Sequence, residues 1–110
     1  MINLDDLAFD LHANAVQKGF WEPNTPENRT VFYLKQLAMI HSEVSETLEA
    51  IRKEKGDDKV VEELADILIR VLDLFGGMVD DEYTELSLES ILLEKARINT
   101  ERPRMHGVLA

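Results

Sequence analysis

Lys59–Phe75 reads KVVEELADILIRVLDLF. Its apolar residues recur with the period of an α-helix, not with the alternation of a strand. So many of its positions are apolar that the segment must be a central helix touching neighbours on two sides; Ile69 and Leu72, beyond the main stripe, are expected at a subunit contact. Asp57 or Asp58 is its expected N-cap, and Gly76 and Gly77 its expected end.

Upstream, the short turn KGDDK (55–59) requires the preceding helix to pack antiparallel to this one. That helix starts between Pro26 and Val31 with Thr25 or Asn28 as cap, and runs to about Lys55 before Gly56. Tyr33, Leu37, Ile40, Val44, Leu48 and Ile51 form its expected core stripe. A first helix spans Leu4 to Lys18, with Leu4, Leu7, Ala8, Leu11 and Ala15 on one face and Gly19 ending it. GFWEPNTPENR (19–29) is a loop. Downstream, Ser87 caps a fourth helix, Leu86 and Ile91 occupy the positions of a hydrophobic staple, and Pro103 marks the end. No segment alternates like a strand, and there is no repeat, low-complexity tract or linker. The sequence predicts an all-α fold: a four-helix bundle-like protomer, residues 1–110 forming one domain.

The composition narrows the function classes. A chain of 110 residues with 45% hydrophobic content supports one core. Its 22 acidic and 12 basic residues leave a formal charge of −10, which argues against a nucleic-acid duplex or an anionic membrane as partner and for a cation. No run approaches the roughly 20 apolar residues of a membrane span, and MINLDDLAFD is acidic where a secretory signal would be basic, so the expected location is cytoplasmic. Without cysteine there is no disulfide framework and no thiolate site.

The acidic residues are not scattered. In HSEVSETLEAI (41–51), Glu43 and Glu46 fall about 4.5 Å apart along a helix and about 60° apart around it, on one face with Met39, Ala50 and Phe32. Glu63 and Asp66 repeat the spacing on the next helix, and Arg70 and Asp73 continue that line. Antiparallel packing can bring both pairs level. Four carboxylates in one space are tolerable around a multivalent cation, and an all-oxygen set suits Mg²⁺ or Mn²⁺. Either pair taken alone would read as a solvated helix face. A ferritin-like di-iron site is a poorer match, because no Glu has a His three residues later. His41 and Ser42 point along different helical directions and do not make a nucleophilic pair; His41 is expected at the core edge.

On the fourth helix Lys95, Asn99 and Arg102 lie at steps of four and three, followed by Arg104 and His106. Beside an acidic metal cluster, such a line reads as a grip on polyphosphate. The alternative function class is a small acidic interaction module that oligomerises and holds only a structural ion.

These residues together resemble the all-α nucleoside triphosphate pyrophosphohydrolases of the MazG type. SEVSETLEAI followed by EELADILI is similar to that family's two acidic motifs, KARINTERPRMHG to the Lys-x-x-x-Asn-x-x-Arg tail of small members, and LHANAVQKGFW to the opening of the dCTP-pyrophosphatase branch. The resemblance implies hydrolysis between the α and β phosphates of a nucleoside triphosphate, with Mg²⁺ held by Glu43, Glu46, Glu63 and Asp66, and a role in cleansing the nucleotide pool. Glu43 or Glu46 would activate water, while Lys95, Asn99 and Arg102 would hold the phosphates. Two positions depart from the branch: Arg70 stands where dCTP-type enzymes carry Tyr, and Ser42 where other members have Glu.

Trp21, the only tryptophan, is expected either to plug one end of the bundle or, as the resemblance implies, to stack on the nucleobase with His12 at the pocket edge. Apolar residues on several helix faces, together with the dimers of the resembled family, lead to an expected homodimer or homotetramer.

Overall fold

The computed structural model describes residues 2–104. Four helices follow one another: α1 (Leu4–Gln17), α2 (Arg29–Arg52), α3 (Asp57–Asp80) and α4 (Leu88–Glu101). Among the described residues there is no strand, and no helix is long and apolar enough to cross a membrane.

The helix ends follow local chemistry. Asn3 caps α1 by accepting from the backbone N–H groups of Asp5 and Asp6, and Ser87 caps α4 by accepting from Ser90. Asn28 precedes α2 without capping it; its side chain accepts instead from the Thr25 backbone N–H and holds the loop. For α3 the cap position belongs to Gly56, and Asp57 and Asp58 fill the first turn, where carboxylates offset the positive end of the helix dipole. The expected end of α3 is also revised, since the helix runs through Gly76 and Gly77 to Asp80. These glycines allow close approach rather than termination. A Cβ on Gly76 would lie 2.6 Å from the Ala8 carbonyl oxygen and 2.7 Å from the His12 Cβ, and one on Gly77 would lie 2.1 Å from the Trp21 ring.

Helix α3 lies between α1 and α2 and touches both, as its two-sided apolarity requires. Tyr33 of α2 meets Asp81, the C-cap of α3, and Glu43 meets Arg70, so numbers rise on one helix as they fall on the other: the two are antiparallel. Ala15, Trp21, Phe32, Tyr33 and Leu74 form the core where the three meet, with Ile40 and Met78 against it. Asp81 pins the loop before α2, accepting from Asn24 (3.0 Å) and from the Tyr33 hydroxyl (2.7 Å). Burial and the Asp81 charge push the Tyr33 hydroxyl well above its usual pKa, so it remains a donor. Helix α4 packs on the start of α1, where Glu89 accepts from the Leu4 N–H (2.9 Å) and Asp5 from the Glu89 N–H (3.1 Å); none of its residues is buried.

The face α2 turns inward shares only Tyr33 and the partly buried Ile40 with its expected stripe. Phe32, Tyr33, Gln36, Thr47 and Ala50 are buried, whereas Leu37, Val44, Leu48 and Ile51 are exposed. The inward face carries aromatic and small polar groups with Glu43 at its edge, and most of the aliphatic line is left outside. The accessible surface is 8505 Å², on the order of 2,000 Å² more than a folded monomer of this mass presents. The radius of gyration, 16.4 Å, likewise exceeds the roughly 13 Å of a closed domain of this length.

Candidate functional site

Glu43 on α2 and Glu63 and Asp66 on α3 each offer a carboxylate oxygen, and these oxygens all lie within 4.8 Å of one another. The antiparallel pairing of α2 and α3 brings together two three-residue spacings from opposite ends of the turn. Glu63 is buried at 6% exposure, Glu43 is half-buried and Asp66 is exposed. The fourth carboxylate, Glu46, is exposed beside Glu43, whose negative charge and hydrogen bond raise its pKa, with Glu63 adding to the effect. Crowded like charge is thus visible at the position where it was expected.

Two basic side chains partly offset it. Arg70 donates from Nε to Glu43 Oε1 at 2.9 Å, and Lys59 donates to Glu63 Oε1 at 3.0 Å, the latter holding the Lys59 ammonium above its usual pKa. The second Glu63 oxygen, Oε2, is buried with no hydrogen-bond partner. A buried carboxylate oxygen without a donor is costly. An oxygen-only set of this kind, with one buried oxygen unsatisfied, fits a hard divalent cation coordinated between the helices.

Glu43 and Asp66, but not Glu63, line a cleft of about 500 Å³ between α1, α2 and α3. Arg70 lines it with them; Phe20, Met39, Ile69 and Leu11 supply apolar wall; Asn14, Lys35, Gln36 and Asp73 supply polar groups. A second cleft of about 440 Å³ lies on the other side, where Glu46 and Glu63 meet Ser42, Ser45, Lys55 and Lys59. The carboxylates therefore sit between an amphipathic cleft and a polar one.

His12 and Trp21 are close to the first cleft but do not line it. Trp21 is 4% exposed: its ring meets His12 edge-on at 4.5 Å, lies 4.9 Å from Phe32 and covers Gly77. Of the two expectations for Trp21, packing describes the protomer, because no face of the ring is left for a base. Both side chains instead hold Asp73, which accepts from Trp21 Nε1 at 2.9 Å and contacts His12 Nδ1 at 3.0 Å. The aromatic on the cleft wall is the neighbouring Phe20, which sequence reasoning passed over. In the pair Phe20-Trp21 one ring can be buried while the other faces the cleft, and the chain alone does not say which.

Lys95, Asn99 and Arg102 are exposed on or at the end of α4, and none makes an ion pair or hydrogen bond to the four carboxylates among the described residues. The protomer does not gather them at the cluster. Arg104 is exposed, and His106 lies outside the described residues. His41 is exposed rather than at the core edge, since the face of α2 that carries it turns outward.

No curated protein and no solved structure matches the chain. The family model described as MazG nucleotide pyrophosphohydrolase domain matches residues 33–97, more than half of the chain. The matched stretch contains both acidic pairs, Arg70, Asp73 and Lys95, and leaves out α1 and the loop carrying Phe20 and Trp21. With Glu43, Glu63 and Asp66 brought together on adjacent helices inside the matched stretch, the chain belongs to the MazG nucleotide pyrophosphohydrolase family.

Proposed function

We propose that this protein is a Mg²⁺-dependent nucleoside triphosphate pyrophosphohydrolase of the cytoplasmic nucleotide pool, with Mn²⁺ as a possible substitute, releasing a nucleoside monophosphate and pyrophosphate. The observation that carries the reading is the group formed by Glu43, Glu63 and Asp66, with the unpartnered Glu63 Oε2 buried among them. A divalent cation bound there would neutralise phosphate charge and ease departure of pyrophosphate.

The chain's own residues supply the rest. The cleft with Phe20, Met39 and Ile69 takes the nucleoside, and Glu43 and Asp66 in its lining face the phosphates. Glu46, exposed and with its proton affinity raised by Glu43, orients a water and accepts its proton as the oxygen attacks phosphorus and the bond to the departing pyrophosphate oxygen breaks. Glu43 is less suited to that task, being bonded to Arg70. His12 and Trp21 act on the nucleoside indirectly, by fixing the Asp73 carboxylate at the cleft wall.

The working form in this reading is a homodimer or a homotetramer. The exposed line Leu34, Leu37, Val44, Leu48 and Ile51 on α2 and the exposed Val61, Leu64 and Leu68 on α3 recur at heptad-like steps of three, four and seven, as in a helix–helix seam. The excess accessible surface is of the size an obligate interface covers. Assembly also gives Lys95, Asn99 and Arg102 a route to a triphosphate, across the subunit boundary.

Incubating the protein with each ribo- and deoxynucleoside triphosphate and Mg²⁺, then separating products, tests the activity. Monophosphate and pyrophosphate in equal amounts are expected from at least one. Release of inorganic phosphate alone, or no product from any nucleotide, would overturn the proposal.

A further inference from the structure

Arg70 is the one basic side chain of the amphipathic cleft that is bonded to a member of the carboxylate cluster. It stands one helical turn past Asp66 on α3, on the side leading to Asp73 and the apolar wall. Its Nε donates to Glu43 Oε1 at 2.9 Å, and the two side chains are 34% and 15% exposed. A guanidinium has five N–H donors, and among the described residues only the one on Nε is engaged. Glu63 is paired differently, by Lys59 from the side of the polar cleft. The cluster thus has a cation at each end, and the one at the nucleoside end has donors to spare.

We propose that Arg70 is an exchangeable cation of this site, neutralising Glu43 while no divalent ion is bound and, once the ion takes Glu43, binding the phosphate nearest the nucleoside. The inference rests on the nucleotide reading above and assigns within it a ligand for one phosphate. Bare metal competes with Arg70 for Glu43, so Arg70 opposes metal binding in the absence of nucleotide. With nucleotide present the guanidinium has a phosphate to receive it, in the planar two-donor geometry to which Arg is suited. Arg70 then favours the loaded state. Because the contact is to the phosphate attached to the nucleoside, monophosphate and triphosphate should depend on it equally.

The test compares wild type with Arg70→Gln and Arg70→Lys. Mn²⁺ alone is titrated by calorimetry; a nucleoside triphosphate analogue with a non-hydrolysable α,β bridge and the matching monophosphate are titrated in saturating Mg²⁺. Arg70→Gln should bind Mn²⁺ alone roughly three- to tenfold more tightly, since a positive neighbour has been removed, and should bind both nucleotides about tenfold more weakly, the loss of a charge-assisted hydrogen bond. Arg70→Lys keeps the charge and should return Mn²⁺ affinity to near wild type. Unaltered or weaker Mn²⁺ binding by Arg70→Gln, or unaltered nucleotide affinity, overturns the proposal while leaving the parent reading in place. A wild type that binds neither Mn²⁺ nor nucleotide overturns both. The Arg70 side chain is at the surface of the cleft, and matched thermal melts of the three proteins verify that each is folded.

Discussion

Gly77→Ala tests how the core holds the cleft wall. The added methyl would sit 2.1, 2.5 and 2.7 Å from three atoms of the Trp21 six-membered ring, against an ordinary carbon contact of about 3.5–4.0 Å. The ring cannot step aside freely, since Phe32 and His12 flank it and its Nε1 is bonded to Asp73. Overpacking costs roughly 1–3 kcal/mol. Losing the indole bond to a carboxylate adds roughly 1.5–3 kcal/mol. Replacing a helical glycine by alanine returns about 1 kcal/mol. The expected net loss is about 1.5–5 kcal/mol, read as a lower urea midpoint by circular dichroism. The control is Trp21→Leu, which removes the ring atoms that clash. In that background Gly77→Ala should be neutral or stabilise by up to about 1 kcal/mol. An equal destabilisation in both backgrounds, hence no coupling between the two positions, would refute the reasoning.

Glu46→Gln and Asp66→Asn should abolish most hydrolysis while melting at the wild-type temperature or above, because each relieves charge crowding at an exposed position; wild-type turnover in both would remove the cluster from the mechanism. Metal-free protein should lose stability as pH rises through the raised pKa of Glu46: that carboxyl holds its proton more tightly folded than unfolded, so stabilisation is present on the acid side. Urea titrations of wild type and Glu46→Gln across pH 4 to 8 would check this, and parallel profiles for the two would contradict it. Val44→Glu with Leu48→Glu, both at exposed aliphatic positions of α2, should shift the sedimenting species to monomer without loss of helical circular dichroism; unchanged mass would exclude this face as the seam.

Much of the architecture is legible in the chain because it depends on neighbours in sequence. Helical periodicity, Ser87 as a cap and the break before Pro103 are local properties, and all three stand in the structure. The two-sided apolarity of KVVEELADILIRVLDLF placed α3 between two partners, since a helix apolar around much of its circumference has to be covered on more than one side. The glycines mark where such local reasoning stops. Gly76 and Gly77 look like a terminus in one dimension; in three they are where α1 and Trp21 come up against α3.

By itself the sequence determined which groups are candidates for the chemistry: two acidic pairs at helical spacing on adjacent antiparallel helices. Tertiary structure decided what surrounds them. It turned most of the aliphatic line of α2 outward and the face of Phe32, Gln36, Thr47 and Ala50 inward, because a helix with two usable faces is oriented by the partner it meets and not by its own periodicity. It bonded Arg70 to Glu43 and Lys59 to Glu63, pairings from opposite ends of one cluster that spacing does not distinguish. It also buried Trp21 against Gly77 and left Phe20 on the cleft wall. Spacing along a helix is set by bonded geometry, whereas burial is set by whichever surface arrives opposite, and that surface comes from residues distant in the chain.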